Sequence, residues 1–223
     1  MKKDFSARPE AITEQRCKDY GGFSWQEFMT AIPEPLFVVT GWKANGKANA
    51  CLQSWATFVS GGTDDFACIM GYVNKNGHMY RSLKETGVCV LNFPSNDTDV
   101  YERCIKTIGH NEFETDEITA AGLTAERAYK VNAPRIKECF LNIECEYLWE
   151  HELFEGGNIL TVALKAVSIC MDSDNYDQSK LGRYGKTGYL MHIHCPINPE
   201  TGEDVPGGIG IIEPNYSIPW NTQ

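Results

Sequence analysis

Two stretches about thirty residues apart hold most of the side chains that could do chemistry. The first, residues 49–55, reads Asn49-Ala50-Cys51-Leu52-Gln53-Ser54-Trp55 and follows an Asn45-Gly46 turn. Strand interiors ordinarily take β-branched and aromatic residues, which pack well on a pleated surface. This stretch offers small and hydrogen-bonding residues, with one large ring at its far end. Small side chains let a flat molecule approach the backbone, and amides and hydroxyls can orient it. The second stretch opens on His78-Met79-Tyr80-Arg81-Ser82, stops at Gly87 and ends on Val88-Cys89-Val90-Leu91-Asn92-Phe93. It reads as a short helix, a glycine stop and a strand. A helix start with Arg81 close behind it offers N–H groups and positive charge to a phosphate. The plain alternatives are an edge strand whose polar residues face water and a solvated helix start.

The elements that must position these stretches are mostly strands. Residues 36–40 read as a first core strand, joined by the Asn45-Gly46 hairpin signal to a strand over 48–57. A Gly-Gly-Thr-Asp-Asp turn precedes a strand over 66–72, and Asn74-Lys75-Asn76-Gly77 is a further turn. Ser24 caps a helix over 25–31, with Glu27 placed as in a capping box. Another helix runs from 97 or 98 to about 108. Residues 109–135 are loop-rich, with a short helix near 116–121. Along 141–150 odd positions are apolar and most even ones acidic, the period of a strand with one wet face. The nearly continuous apolar run 159–171 reads as a central strand buried on both sides. Antiparallel strands with a few helices make a β-barrel or an α+β fold. The tail from 195 carries five of the ten prolines and reads as extended and irregular.

The formal charge is −10, from thirty acids against twenty Lys and Arg. That field disfavours nucleic acid and anionic membranes as partners. A phosphate-bearing ligand therefore needs a local cluster of donors, and Lys75, Arg81 and Lys84 are the nearest to the second stretch. The sequence holds no run of eighteen apolar residues, and its basic start lacks an apolar signal core, which reads as a cytoplasmic protein. Nine cysteines, an odd number without a C-x-x-C, sit mostly in apolar runs, the usage of reduced, buried thiols. His192 and His194 share one side of a strand, a spacing that metal sites use, but no third ligand completes the set and a structural role is expected. Neither a nucleophile elbow nor a dinucleotide fingerprint is present.

In their order and spacing the two stretches resemble the flavin reductase and flavoredoxin-like family of FMN-binding split barrels. That family pattern has an Asn, a few small residues and Ser-Trp or Ser-Phe, then a basic or His-Thr turn, a helix and a Gly-x-Phe-Val-Val-Asn strand. Here these are Asn49 to Trp55 and His78 to Asn92. The resemblance implies a mainly β fold: a Greek-key antiparallel split barrel over about 30–190, within a single domain over 1–223 whose tail runs over about 195–223. It also implies FMN held in a groove between the subunits of a homodimer. Asn49, Cys51, Gln53, Ser54 and Trp55 would line the ring, largely through main chain, although Trp55 equally suits a core or dimer-interface position. Asn74, Asn76, His78, Arg81 and Ser82 would serve the phosphate and ribityl chain.

Two positions depart from the pattern. Met79 stands where the family has a hydroxyl, and Asn158 follows Gly156-Gly157 where relatives carry a His turn placed near a nicotinamide. The segment 182–191 resembles a Tyr-Gly-Gly-x-Tyr stretch late in the family. No side chain is assigned as catalytic, because hydride transfer to flavin needs no protein acid or base. Three readings follow from the resemblance. The first is an oxidoreductase passing hydride from NADH or NADPH to FMN. The second is a flavoredoxin-type carrier with redox-protein partners, and the third a flavin-free binder of another small planar molecule.

Overall fold

The computed structural model describes residues 2–177 and 188–212. The chain forms two compact units, one from the N-terminal residues up to Glu34 with Met191–Gly210, the other from Pro35–Leu190 with the chain from Ile211.

The second unit is built on seven antiparallel strands: β2 (Phe37–Trp42), β3 (Ala48–Gln53), β4 (Ala56–Ser60), β5 (Phe66–Asn74), β6 (Val88–Phe93), β9 (Leu141–Glu152) and β10 (Ile159–Met171), in the order β3-β2-β6-β9-β10-β5-β4. The two edges, β3 and β4, are joined by Ser54 and Trp55 alone. Laid flat, six strand spacings would separate the edges by about 29 Å, whereas so short a link reaches about 10 Å. The sheet therefore curls until its edges approach at Ser54–Trp55. The expected single strand over 48–57 is thus two strands on opposite edges of the sheet. Inside the curl lie Phe37, Val39, Met70, Leu91, Ile143 and Leu164, closed off by Met79 and Leu83 of helix α3 (His78–Thr86).

Local chemistry sets the turns. Gly46 takes φ 78° at the β2–β3 hairpin, and Asn45 Oδ1 accepts from Lys47 N–H at 3.1 Å. Asn74 Oδ1 accepts from Asn76 N–H at 2.9 Å, folding the chain from β5 into α3. Gly87 ends α3 in the left-handed region, its N–H donating to Leu83 O at 2.8 Å. Here glycine is needed for its φ, since an added Cβ would meet nothing within 4 Å.

The outer face of β2 and β3 is covered by α4 (Thr98–Lys106), a following 3-10 turn at Thr107–Gly109 and α5 (Glu117–Ala120). There Val38, Ala50, Cys104, Ile118 and Ile136 form a second cluster. A short hairpin, β7 (Ala125–Arg127) with β8 (Pro134–Ile136), was not anticipated.

Two expectations about the long strands change. Asn142 and Glu144 are buried, not wet. Glu144 accepts from Tyr129, Lys130 and Val131 N–H at 2.7, 2.6 and 3.2 Å, so a loop with donor N–H groups covers that face. In β10 full burial holds over residues 160 and 162–164, while Ile169 is 59% exposed. The reason is pairing: β5 leaves β10 at Lys165, and beyond it β10 keeps only β9 beside it.

The first unit has α1 (Glu14–Asp19) and α2 (Trp25–Thr30), the latter capped by Ser24 as expected. Its small core holds Ile12, Phe28 and Ile197. Strands β1 (Glu34–Pro35), β11 (Leu190–Ile193) and β12 (Gly208–Ile211) form a three-stranded sheet. Part of the supposedly irregular tail is therefore strand. All nine cysteines are free thiols. Among the described residues no helix is long and apolar enough to cross a membrane.

Candidate functional site

Strand β3 has two working faces and one working edge. Ala48, Ala50 and Leu52 pack toward α4 and α5, so alternation turns Asn49, Cys51 and Gln53 to the side of α3 and the inner core. On the open edge Ala48 N–H donates to Asp116 Oδ2 at 3.2 Å and Ala50 N–H to Glu117 Oε2 at 2.6 Å. Antiparallel alternation puts Leu52 N–H on the same edge, where it meets no acceptor among the described residues.

Glu117 is the centre of a buried polar cluster. Its Oε1 lies 2.6 Å from Lys43 Nζ, and both side chains are almost fully buried. The Lys43 ammonium also donates to Thr115 O at 2.8 Å and Glu112 O at 3.1 Å, so the buried cation is well satisfied. Asn49, oriented to suit both its neighbours, donates to Glu117 at 3.0 and 3.3 Å and accepts from Met79 N–H at 3.2 Å. Met79 N–H is one of the donors that a helix start leaves unpaired, and the N-cap Gly77 has no side chain to offer. His78 Nδ1 sits 3.9 Å from the same carboxylate, its ring edge-on to Phe113.

Sequence reasoning missed Lys43 and Glu117. Their pairing across a long loop leaves no local signal, and an acid in a first helical turn looks ordinary.

The structure thus joins Asn49 to His78 through Glu117, keeps Cys51 and Gln53 together at the end of β3, and separates the other residues predicted for the phosphate end. Ser82 is buried on the face of α3 that packs against β2, its Cβ facing Gly41, and its Oγ has no partner among the described residues. Asn74 and Asn76 are exposed, with Asn74 engaged in its own turn. Lys75 pairs with Glu152, and Lys84 lies 3.3 Å from both Glu150 and the Tyr147 hydroxyl. Arg81 is exposed and has no ion-pair partner among the described residues. Lys75 N–H donates to Asn158 O at 2.9 Å, which sets the departing turn beside the second motif.

At the other end of β3, burial and then the charge of Glu117 push the Cys51 thiol up to about 11, so it stays protonated. Gln53 is 7% exposed; its Nε2 is 3.9 Å from Cys51 Sγ, and its Oε1 has no partner among the described residues. Ser54 is buried, and the half-buried Trp55 ring stacks on Tyr72 at 4.5 Å and 29°. Tyr72 has φ 52°, unusual for a non-glycine residue. It lies in a bulge where Gly71 and Tyr72 together face one residue of β10.

In the first unit His192 and His194 do face the same way, with rings 4.2 Å apart. His194 places Nδ1 3.1 Å from Glu27 and Nε2 3.4 Å from Glu34, so both ring nitrogens already face carboxylates. Burial, then His194, lowers the pKa of His192 to about 4. A depression of about 690 Å³ in that unit, lined in part by Lys3, Phe5 and Asp204, shares no residue with either motif. Residues 182–187 of the late family-like segment, and the tail from 213, lie outside the described residues.

A curled antiparallel sheet, the two motifs and their junction define a flavin reductase-like protein. The chain belongs to the family described as flavin reductase like domain, whose model matches residues 29–188. Among solved structures it is similar to nitrilotriacetate monooxygenase component B from Bacillus cereus, with TM-score 0.72 and 15% identity over 98% of this chain and 100% of that one. It is also similar to the flavoredoxin of Desulfovibrio vulgaris (Miyazaki F), with TM-score 0.61 and 17% identity over 97% and 98% of the two chains. The NADH:FAD oxidoreductase SgcE6 of Streptomyces globisporus C-1027 gives 0.55 and 12% over 78% and 86%. At these identities the likeness establishes the fold alone. A curated relative from Methanothermobacter thermautotrophicus, an uncharacterized protein, is 31% identical over 98 residues. The match spans 43% of this chain and 45% of that relative.

Proposed function

We propose that this chain is an FMN-dependent oxidoreductase whose flavin accepts hydride from NADH or NADPH and lies in the groove of a two-fold homodimer. The carrying observation is the end of β3. Small residues there stand beside the buried Gln53 carboxamide oxygen and the Leu52 edge N–H, which both lack partners among the described residues, and a polar planar ring would satisfy such groups. The residues fit the ring end of the cofactor: Gln53, Cys51, Ser54 and the Leu52 main chain would hold it, with Trp55 beside them. The start of α3 fits its phosphate less well, because Asn49 already takes Met79 N–H and the Glu117 carboxylate stands close by. The phosphate role falls to Arg81, helped by the turn residues Asn74 and Asn76.

Bound flavin supplies the hydride-accepting chemistry, while the protein positions it and tunes it electrostatically. In that division Cys51 stays a neutral thiol, and the Lys43–Glu117 pair fixes α3 against β3. The second reading, a carrier of flavoredoxin type working with a redox protein, is favoured by Asn158 in place of a His turn. The test is an absorbance spectrum before and after incubation with FMN and desalting, followed by NADH and NADPH oxidation assays. Retained flavin bands with saturable nicotinamide oxidation support the enzyme. Retained flavin that only a reduced ferredoxin-like donor reduces supports the carrier. A colourless protein in both samples ends the flavin reading.

A further inference from the structure

Native proteins pair nearly all their buried side-chain polar atoms, and an orphan asks for an explanation. The motif stretches contain two: Ser82 Oγ and Gln53 Oε1. Ser82 is packed against Gly41 where α3 meets β2, so its orphan is enclosed by the protein. Gln53 is different. It is the last residue of β3, next to the two-residue link where the edges of the sheet meet. Among the described residues its carboxamide has one hydrogen-bond partner, the Cys51 thiol at 3.9 Å. Exchanging its O and N would let the thiol donate to the oxygen and leave the NH2 unpaired instead. In either orientation one side of the carboxamide edge has no partner among the described residues.

A carboxamide presents a donor and an acceptor side by side. Its complement is a ring lactam, in which an N–H adjoins a C=O, because two antiparallel hydrogen bonds then form together. A hydroxyl chain or a phosphate offers no such edge. We infer that Gln53 is the specificity residue for the lactam edge of the bound ring, reading the flavin N3–H and its adjacent carbonyl. This rests on the reading of residues 49–55 as a flavin site and assigns the ring edge that Gln53 recognises. No bond is made or broken in this role. Gln53 is a binding residue, and its consequence is selection of rings with an unsubstituted imide.

The test compares riboflavin with N3-methylriboflavin, by fluorescence quenching, on the wild-type protein and on Gln53→Met and Gln53→Glu. Methionine has nearly the same volume without the polar edge, and glutamate keeps an acceptor for N3–H while losing the donor. Expected is a preference of the wild type for riboflavin of about tenfold or more, the size of one well-buried hydrogen bond. In Gln53→Met that preference falls to about twofold or less, because only the methyl group's bulk remains. In Gln53→Glu it persists, with weaker binding overall. The thermal midpoint of ligand-free Gln53→Met should be no lower than that of the wild type, since an unpaired polar atom has been removed.

Equal affinity of the wild type for the two flavins overturns the inference while leaving the flavin site standing. So does a Gln53→Met protein that keeps the full preference. If neither flavin binds the wild type, the functional reading fails and the inference with it. Should Gln53→Met not fold, the wild-type comparison together with Gln53→Glu still decides.

Discussion

Asn49 and Met79 meet through one hydrogen bond, the Asn49 carboxamide oxygen accepting from Met79 N–H at 3.2 Å. Each belongs to a different motif, so this contact ties strand β3 to helix α3. It also gives a structural use to the position where the family's hydroxyl is missing. Met79 contributes a backbone donor to Asn49 and an apolar side chain to the inner core.

The pair that holds this junction should be sensitive to half-removal. Lys43→Met leaves Glu117 charged and buried, and we expect a loss of about 3–5 kcal/mol in urea unfolding. The double variant Lys43→Met/Glu117→Gln should recover a large part of that loss, because no lone charge then remains. A double variant no more stable than Lys43→Met alone would show that the pair is not coupled.

Arg81→Gln should discriminate between ligands. If Arg81 serves the phosphate, FMN affinity falls about tenfold, the scale of a charge-assisted hydrogen bond, while riboflavin affinity stays put. Parallel losses for both flavins would move Arg81 out of phosphate binding.

The left-handed backbone of Tyr72 gives a clean comparison. Tyr72→Ala loses the stack on Trp55 and keeps the strain; Tyr72→Gly loses the same stack and relieves it. The glycine variant should be more stable than the alanine one by about 1 kcal/mol. Equal melting temperatures would mean that the bulge relaxes around alanine.

Stability should fall in alkaline solution partly through Cys51. Its thiol ionises near 9.0 when unfolded and at about 11 when folded. Below pH 9 both states are protonated and the contribution is whole. Between about 9 and 11 the unfolded chain releases the proton first and is favoured. Denaturant midpoints measured from pH 8 to 11 should therefore decline less steeply for Cys51→Ala than for the wild type.

Much of the frame was legible in the sequence because it is set locally. Asn45-Gly46, the glycine stop at 87 and the strand that follows it each act within a few residues. The strand break at Ser54–Trp55 was not legible, since both residues tolerate a strand and the curl of the whole sheet dictates the break. Glu144 was misread for a similar reason: its period-two pattern matches a wet face, and only the three donating N–H groups at 129–131 make it a buried one. The residue types at 49–55 read as a surface for a planar ligand, and the structure places them on β3 and the link after it. The short helix expected near 116–121 is α5, but that its Glu117 reaches back to Asn49 is a long-range pairing with no local signal.

The two-residue link between the sheet's edges also bears on the order of folding. Pairs such as Val38–Leu52 and Phe58–Cys68 are close in sequence, so the β2–β3 and β4–β5 hairpins can form early on either side of Ser54–Trp55. The pairs that fill the space between them, Val90–Glu144 and Cys68–Leu164, must wait for chain far downstream. Such long loops close slowly. Until β10 arrives, the nascent chain is a pair of hairpins hinged at Ser54–Trp55.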